Sequence, residues 1–179
     1  MDKIICLVGP SGSGKTTIAK ELETLGYNII HSYTTREPRE ENEWGHIFMS
    51  DDSWFCRDKE NSIAEKELYD HAYWATKEQY KNKGTSIYVV CPDGAKQVRK
   101  NVKDAEIVTI FLHCDMNKRV TRLIERAGGN IFNHFDEVEA LERINKDKEV
   151  FKLVKTDYVI DGNREVEEVL EDVVSVIKN

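Results

Sequence analysis

Gly9-Pro10-Ser11-Gly12-Ser13-Gly14-Lys15-Thr16 carries the spacing G-x-x-x-x-G-K-[ST], and each fixed residue has a chemical reason to be there. Glycines let the backbone wrap an anion without Cβ clashes, so that its N–H groups converge on a phosphate. Lys15 has the reach to meet β- and γ-phosphates, and the Thr16 hydroxyl suits a Mg²⁺ ligand. Gly9, Ser11, Gly12, Ser13, Gly14, Lys15, Thr16 and Thr17 are therefore the expected contacts of a nucleoside triphosphate, ATP. Further on, Arg36 and Arg39 stand three apart with Pro38 between them. Proline stiffens the chain, and two such guanidinium groups make a preorganised fork for a phosphate dianion. Ser32 adds a hydroxyl donor.

These groups need particular elements to hold them. Before the loop, Lys3–Val8 is a short apolar run with β-branched residues, as expected of a buried parallel strand. After it, Ile18, Ala19, Leu22 and Leu25 recur at helical spacing and stop at Gly26. The helix then points its positive end at the bound phosphate. Further strands are expected at Asn28–His31, Ser86–Cys91, Ile107–Cys114 and Tyr158–Ile160. Helices are expected at Thr16–Leu25, Asp93–Lys100, Asn117–Arg126, Phe135–Leu153 and Glu165–Ile177. Alternation of this kind predicts an α/β fold, a P-loop NTPase-type parallel sheet flanked by helices.

Two segments break the rhythm. Residues 32–80 are polar, aromatic-rich and too long for a simple connection, so they read as an inserted substrate-binding subdomain. Ala127-Gly128-Gly129-Asn130 follows Arg126 and reads as the hinge of a lid over 127–135. The remaining core is 1–31, 81–126 and 136–179, all within a single domain.

The formal charge of −7 argues against wholesale nucleic-acid or anionic-membrane binding. No apolar run approaches the roughly 20 residues that span a bilayer. Cys6, Cys91 and Cys114 lie in or beside strand-like runs and Cys56 in the insertion, with no C-x-x-C pair. His113-Cys114-Asp115 has ligand composition, but neighbours on a strand point to opposite faces. A reduced, cytoplasmic protein without a structural metal is expected; its oligomeric state is not readable.

Ser32-Tyr33-Thr34-Thr35-Arg36-Glu37-Pro38-Arg39 closely resembles the S-x-T-T-R-x-P-R motif of guanylate kinases. Arg122-Leu123, Arg143-Ile144 and Asp157-Tyr158-Val159 match later landmarks of that family. The resemblance implies Mg²⁺-dependent transfer of the ATP γ-phosphoryl group to a nucleoside monophosphate, GMP or dGMP. It implies that Ser32, Arg36, Arg39 and His46 hold the acceptor phosphate, His46 standing where the family has a tyrosine. Tyr73-Trp74-Ala75-Thr76 looks like the family's Y-Y-G-[ST], which brings Trp74 and Thr76 to the acceptor and Glu65 to the guanine, with Glu67 the alternative match. Lys15, Arg126 and Arg143 are the implied charge-neutralising catalytic residues, with Arg122 a third candidate arginine.

The chain also departs from the pattern. Where the family reads D-x-D and then x-Q-G, this chain has Val89-Val90-Cys91-Pro92-Asp93-Gly94. Asp93 is either a substitute metal ligand or a helix N-cap. Two other readings keep the fold. One is a kinase for another phosphorylated acceptor such as ribose 1,5-bisphosphate, suggested by Glu43-Trp44-Gly45-His46-Ile47. The other is a non-catalytic protein-binding module, against which the intact phosphate loop argues.

Overall fold

The computed structural model describes all residues except 39–40, 69, 127, 129–133 and 153, and describes the backbone alone at 68, 134–137, 139 and 143. Strand β1 (Asp2–Val8) runs into the phosphate loop and helix α1 (Lys15–Thr24), then β2 (Asn28–Ile30). The inserted segment holds β3 (Ser32–Thr34), β4 (His46–Phe48), the short helix α2 (Asp51–Phe55), β5 (Ser62–Leu68) and β6 (His71–Thr76). The chain then returns through β7 (Thr85–Val89), α3 (Pro92–Asn101), β8 (Ala105–His113), α4 (Met116–Arg126), α5 (His134–Val150), β9 (Tyr158–Asp161) and α6 (Val166–Lys178).

The main sheet is parallel throughout, in the order β2-β7-β1-β8-β9. Central β1 has both faces covered, which is why its sequence is an unbroken apolar run. Alternation sends Ile5 and Leu7 to one face, packed with Ile18 and Leu22 of α1 and Val169, Val173 and Ile177 of α6. Ile4, Cys6 and Val8 face the other side with Tyr80, Tyr88 and Val98. Burial pushes the Cys6 thiol up to about 12, so this cysteine is an inert core residue. Helices α4 and α5 carry a smaller cluster of their own, Leu123, Ile124, Ala140 and Ile144.

The parallel α/β sheet is the one expected, and the insertion proves more ordered than its composition suggests. It forms a second, mixed sheet in the order β4-β3-β6-β5, with β3 and β4 parallel and the other pairs antiparallel. Its strands are short, and Trp54, Ala72 and Trp74 give it a core. The expected strand Ser86–Cys91 stops at Val89, because Pro92 opens α3 and leaves Cys91 as the residue before the helix. Helix α5 ends at Val150, three residues short of the expected Leu153.

Candidate active site

The phosphate loop leaves the carboxyl end of β1, and backbone geometry shapes it. Gly12 has φ 78° and Gly14, at the N-cap of α1, has φ 98°, both in the left-handed region that penalises a side chain. A Cβ on Gly12 would also sit 2.9 Å from the Arg119 carbonyl oxygen. The Ser13 N–H donates to the Pro10 carbonyl at 3.1 Å, closing a turn within the loop. Lys15 folds back across it, Nζ donating to the Pro10 carbonyl at 2.9 Å and approaching Ser13 Oγ at 3.5 Å. Thr16 and Thr17 lie exposed in the first turn of α1, where their hydroxyls are open to a ligand. The glycine-shaped turn with Lys15 folded across it is a cradle of the kind that fits a triphosphate. A Mg²⁺ ion on Thr16 would complete its shell from phosphates and water, as this ion usually does.

Beside it lies a cavity of about 210 Å³ lined by residues of both sheets, among them Ser32, His46, Glu65, Lys66, Tyr73, Tyr88 and Cys91. The register of the main sheet puts it next to the loop. Leu7 pairs with Val89, and the Val90 N–H donates to the Leu7 carbonyl at 3.2 Å. The two adjacent strands therefore deliver Gly9 and Cys91 to the same edge. Ser32 Oγ and the Tyr88 hydroxyl lie 3.1 Å apart, and burial raises the Tyr88 phenol well above its ordinary value, which keeps it neutral. The rings of His46 and Tyr73 meet edge-on at 5.8 Å.

Arg36, which is not among the residues lining the cavity, and Glu65, which is, both hold charged partners. Arg36 makes a two-pronged pair with Glu43, Nη2 to Oε1 at 2.7 Å and Nη1 to Oε2 at 3.1 Å. A carboxylate thus sits where a fork of this kind would accept phosphate, and its hydrogen bonds raise the Arg36 pKa further. Glu65 accepts two bonds from Arg57 on one oxygen, from Nε at 3.1 Å and Nη2 at 2.9 Å. Gln97 of α3 fixes its backbone, accepting from the Glu65 N–H at 2.9 Å and donating to its carbonyl at 2.8 Å.

The family model for guanylate kinases matches residues 1–179. The chain belongs to the guanylate kinase family. It is 28% identical over 186 residues to the guanylate kinase of Aster yellows witches'-broom phytoplasma, covering 98% of this chain and 85% of that protein. Against the guanylate kinase of Clostridium tetani it is 33% identical over 131 residues, 69% of this chain and 62% of that one. In fold it resembles the crystal structure of guanylate kinase from Anaplasma phagocytophilum, with a TM-score of 0.64 at 19% identity over 99% of this chain and 85% of the other. Guanylate kinases are phosphotransferases, and this chain is an enzyme of that class.

Not every residue expected at the site of this guanylate kinase family member is found there. Ser32, His46 and Glu65 line the cavity. Glu67, the alternative to Glu65, instead accepts from the Trp54 indole N–H at 3.2 Å. Trp74 is corrected: it is 4% exposed, stacked on Tyr33 at 5.3 Å and packed on Trp54 at 5.4 Å. Strand alternation on β6 turns Trp74 into the small core and Tyr73 to the cavity. Thr76 does not line the cavity either; it opens a 3-10 turn, and its N–H donates to Gln79 Oε1 at 3.1 Å.

Asp93 is corrected as an N-cap, for that place belongs to Cys91, whose Sγ accepts the Gly94 N–H at 3.4 Å. Asp93 stands in the first turn of α3, 72% exposed and 3.7 Å from Lys66. Arg126 is exposed at the end of α4. Arg39, the Arg143 side chain and most of the expected lid lie outside the described residues. Sequence reasoning missed Glu43, Arg57, Arg119 and Asp147. Glu43 and Arg57 pair with Arg36 and Glu65 only seven and eight residues away, while Arg119 and Asp147 meet each other and Ser11 over long separations, and none of these pairings leaves a periodic pattern.

Proposed function

We propose that this enzyme transfers the γ-phosphoryl group of Mg²⁺-bound ATP to the phosphate of GMP or dGMP. The observation that carries the reading is the juxtaposition of a complete phosphate loop with a cavity whose wall includes Glu65. Guanine presents N1–H and a 2-amino group to a carboxylate, whereas adenine offers it no such pair of donors. Tyr73 and His46 add aromatic surface, Ser32 lines the same cavity, and Arg36 follows β3 two residues beyond its end.

In this reading an oxygen of the acceptor phosphate attacks the γ-phosphorus in line. The bond to the β–γ bridging oxygen breaks, and ADP leaves with that electron pair. A phosphate monoester has its second pKa near 6, so the nucleophile is already mostly dianionic and no general base is needed. Catalysis then rests on positioning and on neutralising charge at the equatorial oxygens. Lys15 swings from the Pro10 carbonyl to the phosphates, the loop amides hold the β-phosphate, and Mg²⁺ on Thr16 supplies charge neutralisation when bound. Arg36 exchanges Glu43 for the acceptor phosphate, and Arg126 and Arg143 serve from α4 and α5. Cytoplasmic nucleotide pools would supply both substrates.

A second acceptor class has one observation in its favour, the wall of Val89, Val90 and Cys91 at the end of β7. The deciding measurement is ADP formation with GMP, dGMP, AMP, CMP, UMP and ribose 1,5-bisphosphate. Turnover confined to GMP and dGMP is expected. Turnover on the sugar phosphate alone would replace the acceptor, and ATP binding without turnover on any of them would overturn the transfer reading.

A further inference from the structure

The phosphate loop is held from behind by an ion pair that bridges two helices. Ser11 donates its backbone N–H to Asp147 Oδ2 at 2.7 Å. Arg119 Nε donates to the Ser11 carbonyl at 2.8 Å, and Arg119 Nη2 donates to the same Asp147 oxygen at 2.9 Å. Three bonds thus close a ring through one loop residue, one residue of α4 and one of α5. Both side chains are largely buried, at 11% and 17% exposure. The α4 backbone abuts Gly12 directly, and Arg122 Nη1 donates to the carbonyls of Gly12 at 3.3 Å and Gly162 at 3.1 Å.

We propose that Arg119 and Asp147 are positioning residues of the donor site, clamping the Ser11 segment and cancelling a carboxylate charge behind the triphosphate. The inference rests on ATP being the donor and goes beyond it. Asp147 supplies the acceptor that pins the Ser11 amide, but an unpaired carboxylate so close to the loop would repel phosphate. Arg119 removes that repulsion and pins the Ser11 carbonyl in the same stroke. Asp147 lies on α5 one helical turn after Arg143, so the clamp also joins the loop to the helix expected to carry a catalytic arginine.

A buried ion pair that only held the fold together would change melting temperature and leave ATP affinity alone. The clamp predicts a particular order among variants, read as KM for Mg-ATP, kcat, KM for GMP and melting temperature. Arg119→Met leaves the carboxylate uncompensated and should raise the ATP KM about tenfold or more. Adding Asp147→Asn to that variant should bring the ATP KM most of the way back, the double being better than the single. Asp147→Ala, which orphans the Ser11 amide, should raise the ATP KM several-fold. Asp147→Asn keeps an acceptor there and should stay within about twofold of the parent. The GMP KM should not move in any of them.

If Arg119→Met does not fold, the Asp147→Ala and Asp147→Asn pair carries the same comparison with the arginine in place. Unchanged ATP KM in Arg119→Met and Asp147→Ala, losses confined to melting temperature, or a double no better than Arg119→Met would overturn the clamp. A parent protein that fails to bind Mg-ATP would overturn the donor reading, and the clamp with it. A parent that binds ATP with unaffected variants would sink the clamp alone.

Discussion

Arg57 grips Glu65 by a single carboxylate oxygen, with Nε and Nη2 both on Oε2 at 3.1 and 2.9 Å. The arginine is itself fixed: its guanidinium carbon lies 3.1 Å from the centre of the Trp54 ring, and Nη1 donates to the Trp54 carbonyl at 2.7 Å. A planar cation stacked on an aromatic face and bonded at three points has little rotational freedom left. Glu65 is thereby oriented, and under the proposed function its Oε1 is the atom that would receive a donor from the base. Arg57→Met should therefore raise the KM for GMP about tenfold with kcat much less affected, since the base is remote from the reacting phosphate. Glu65→Gln should narrow the preference for GMP over AMP, because an amide offers a donor where guanine also donates. Steady-state kinetics on both nucleotides decide it; an unchanged GMP KM in both variants would remove this pair from the acceptor site.

Lys15→Ala should lower turnover by about a hundredfold or more, the scale seen when a preorganised charge contact to a transition state is lost. Lys15 lies outside both hydrophobic clusters that hold the main sheet, so the variant should keep its fold and melt close to the parent. Single-turnover ADP formation is the measurement. Near-parental rates would show that the loop does not serve the transferred phosphoryl group.

The phosphate loop was legible because its conformation is set locally, by glycines at positive φ between a strand and a helix. The parallel sheet was legible for a similar reason: apolar runs and helical periods alternate along the whole chain. Arg36 stood out through its motif, but its partner Glu43 did not, since ion pairing leaves no periodic trace. Trp74 misled because resemblance assigns a position and not a face; the alternation of β6 decides the face, and the second sheet was not recognised. Asp147 meets Ser11 across 136 residues of sequence, a contact fixed only when α4 and α5 pack against the loop.

The His31 ring is half-buried, and desolvation lowers its pKa below the ordinary 6.5 against the weaker opposing pull of Glu23. A folded-state pKa below the unfolded value means that, as pH falls through 6.5, the unfolded chain takes up a proton which the folded chain refuses. His31 therefore costs stability below about pH 6.5 and nothing above it. The ring also packs edge-on against Trp44 at 5.2 Å, tying the insertion to the core. His31→Gln should flatten the fall in melting temperature on acidification below that pH, while leaving the slope at neutral pH unchanged. An identical profile in parent and variant would count against the assignment.

Cys91 combines two roles that a single substitution separates. Its Sγ caps α3 through the Gly94 N–H at 3.4 Å, and the residue lines the cavity beside the phosphate loop at the end of β7. Sulfur is a weak acceptor, whereas a carboxylate is among the best N-caps and gains from the helix dipole. Cys91→Asp should accordingly stabilise α3 by about 0.5–1 kcal/mol, which for a chain of this size raises the melting temperature by roughly 1–4 °C. The same carboxylate would face the acceptor, where the family pattern has acidic residues and this chain has none at Val89 or Cys91. If the missing charge limits catalysis, kcat/KM for GMP rises together with the melting temperature. A higher melting temperature with unchanged or lower kcat/KM would mean that the pocket has adapted to a neutral wall, and that restoring one aspartate only adds repulsion toward the acceptor phosphate.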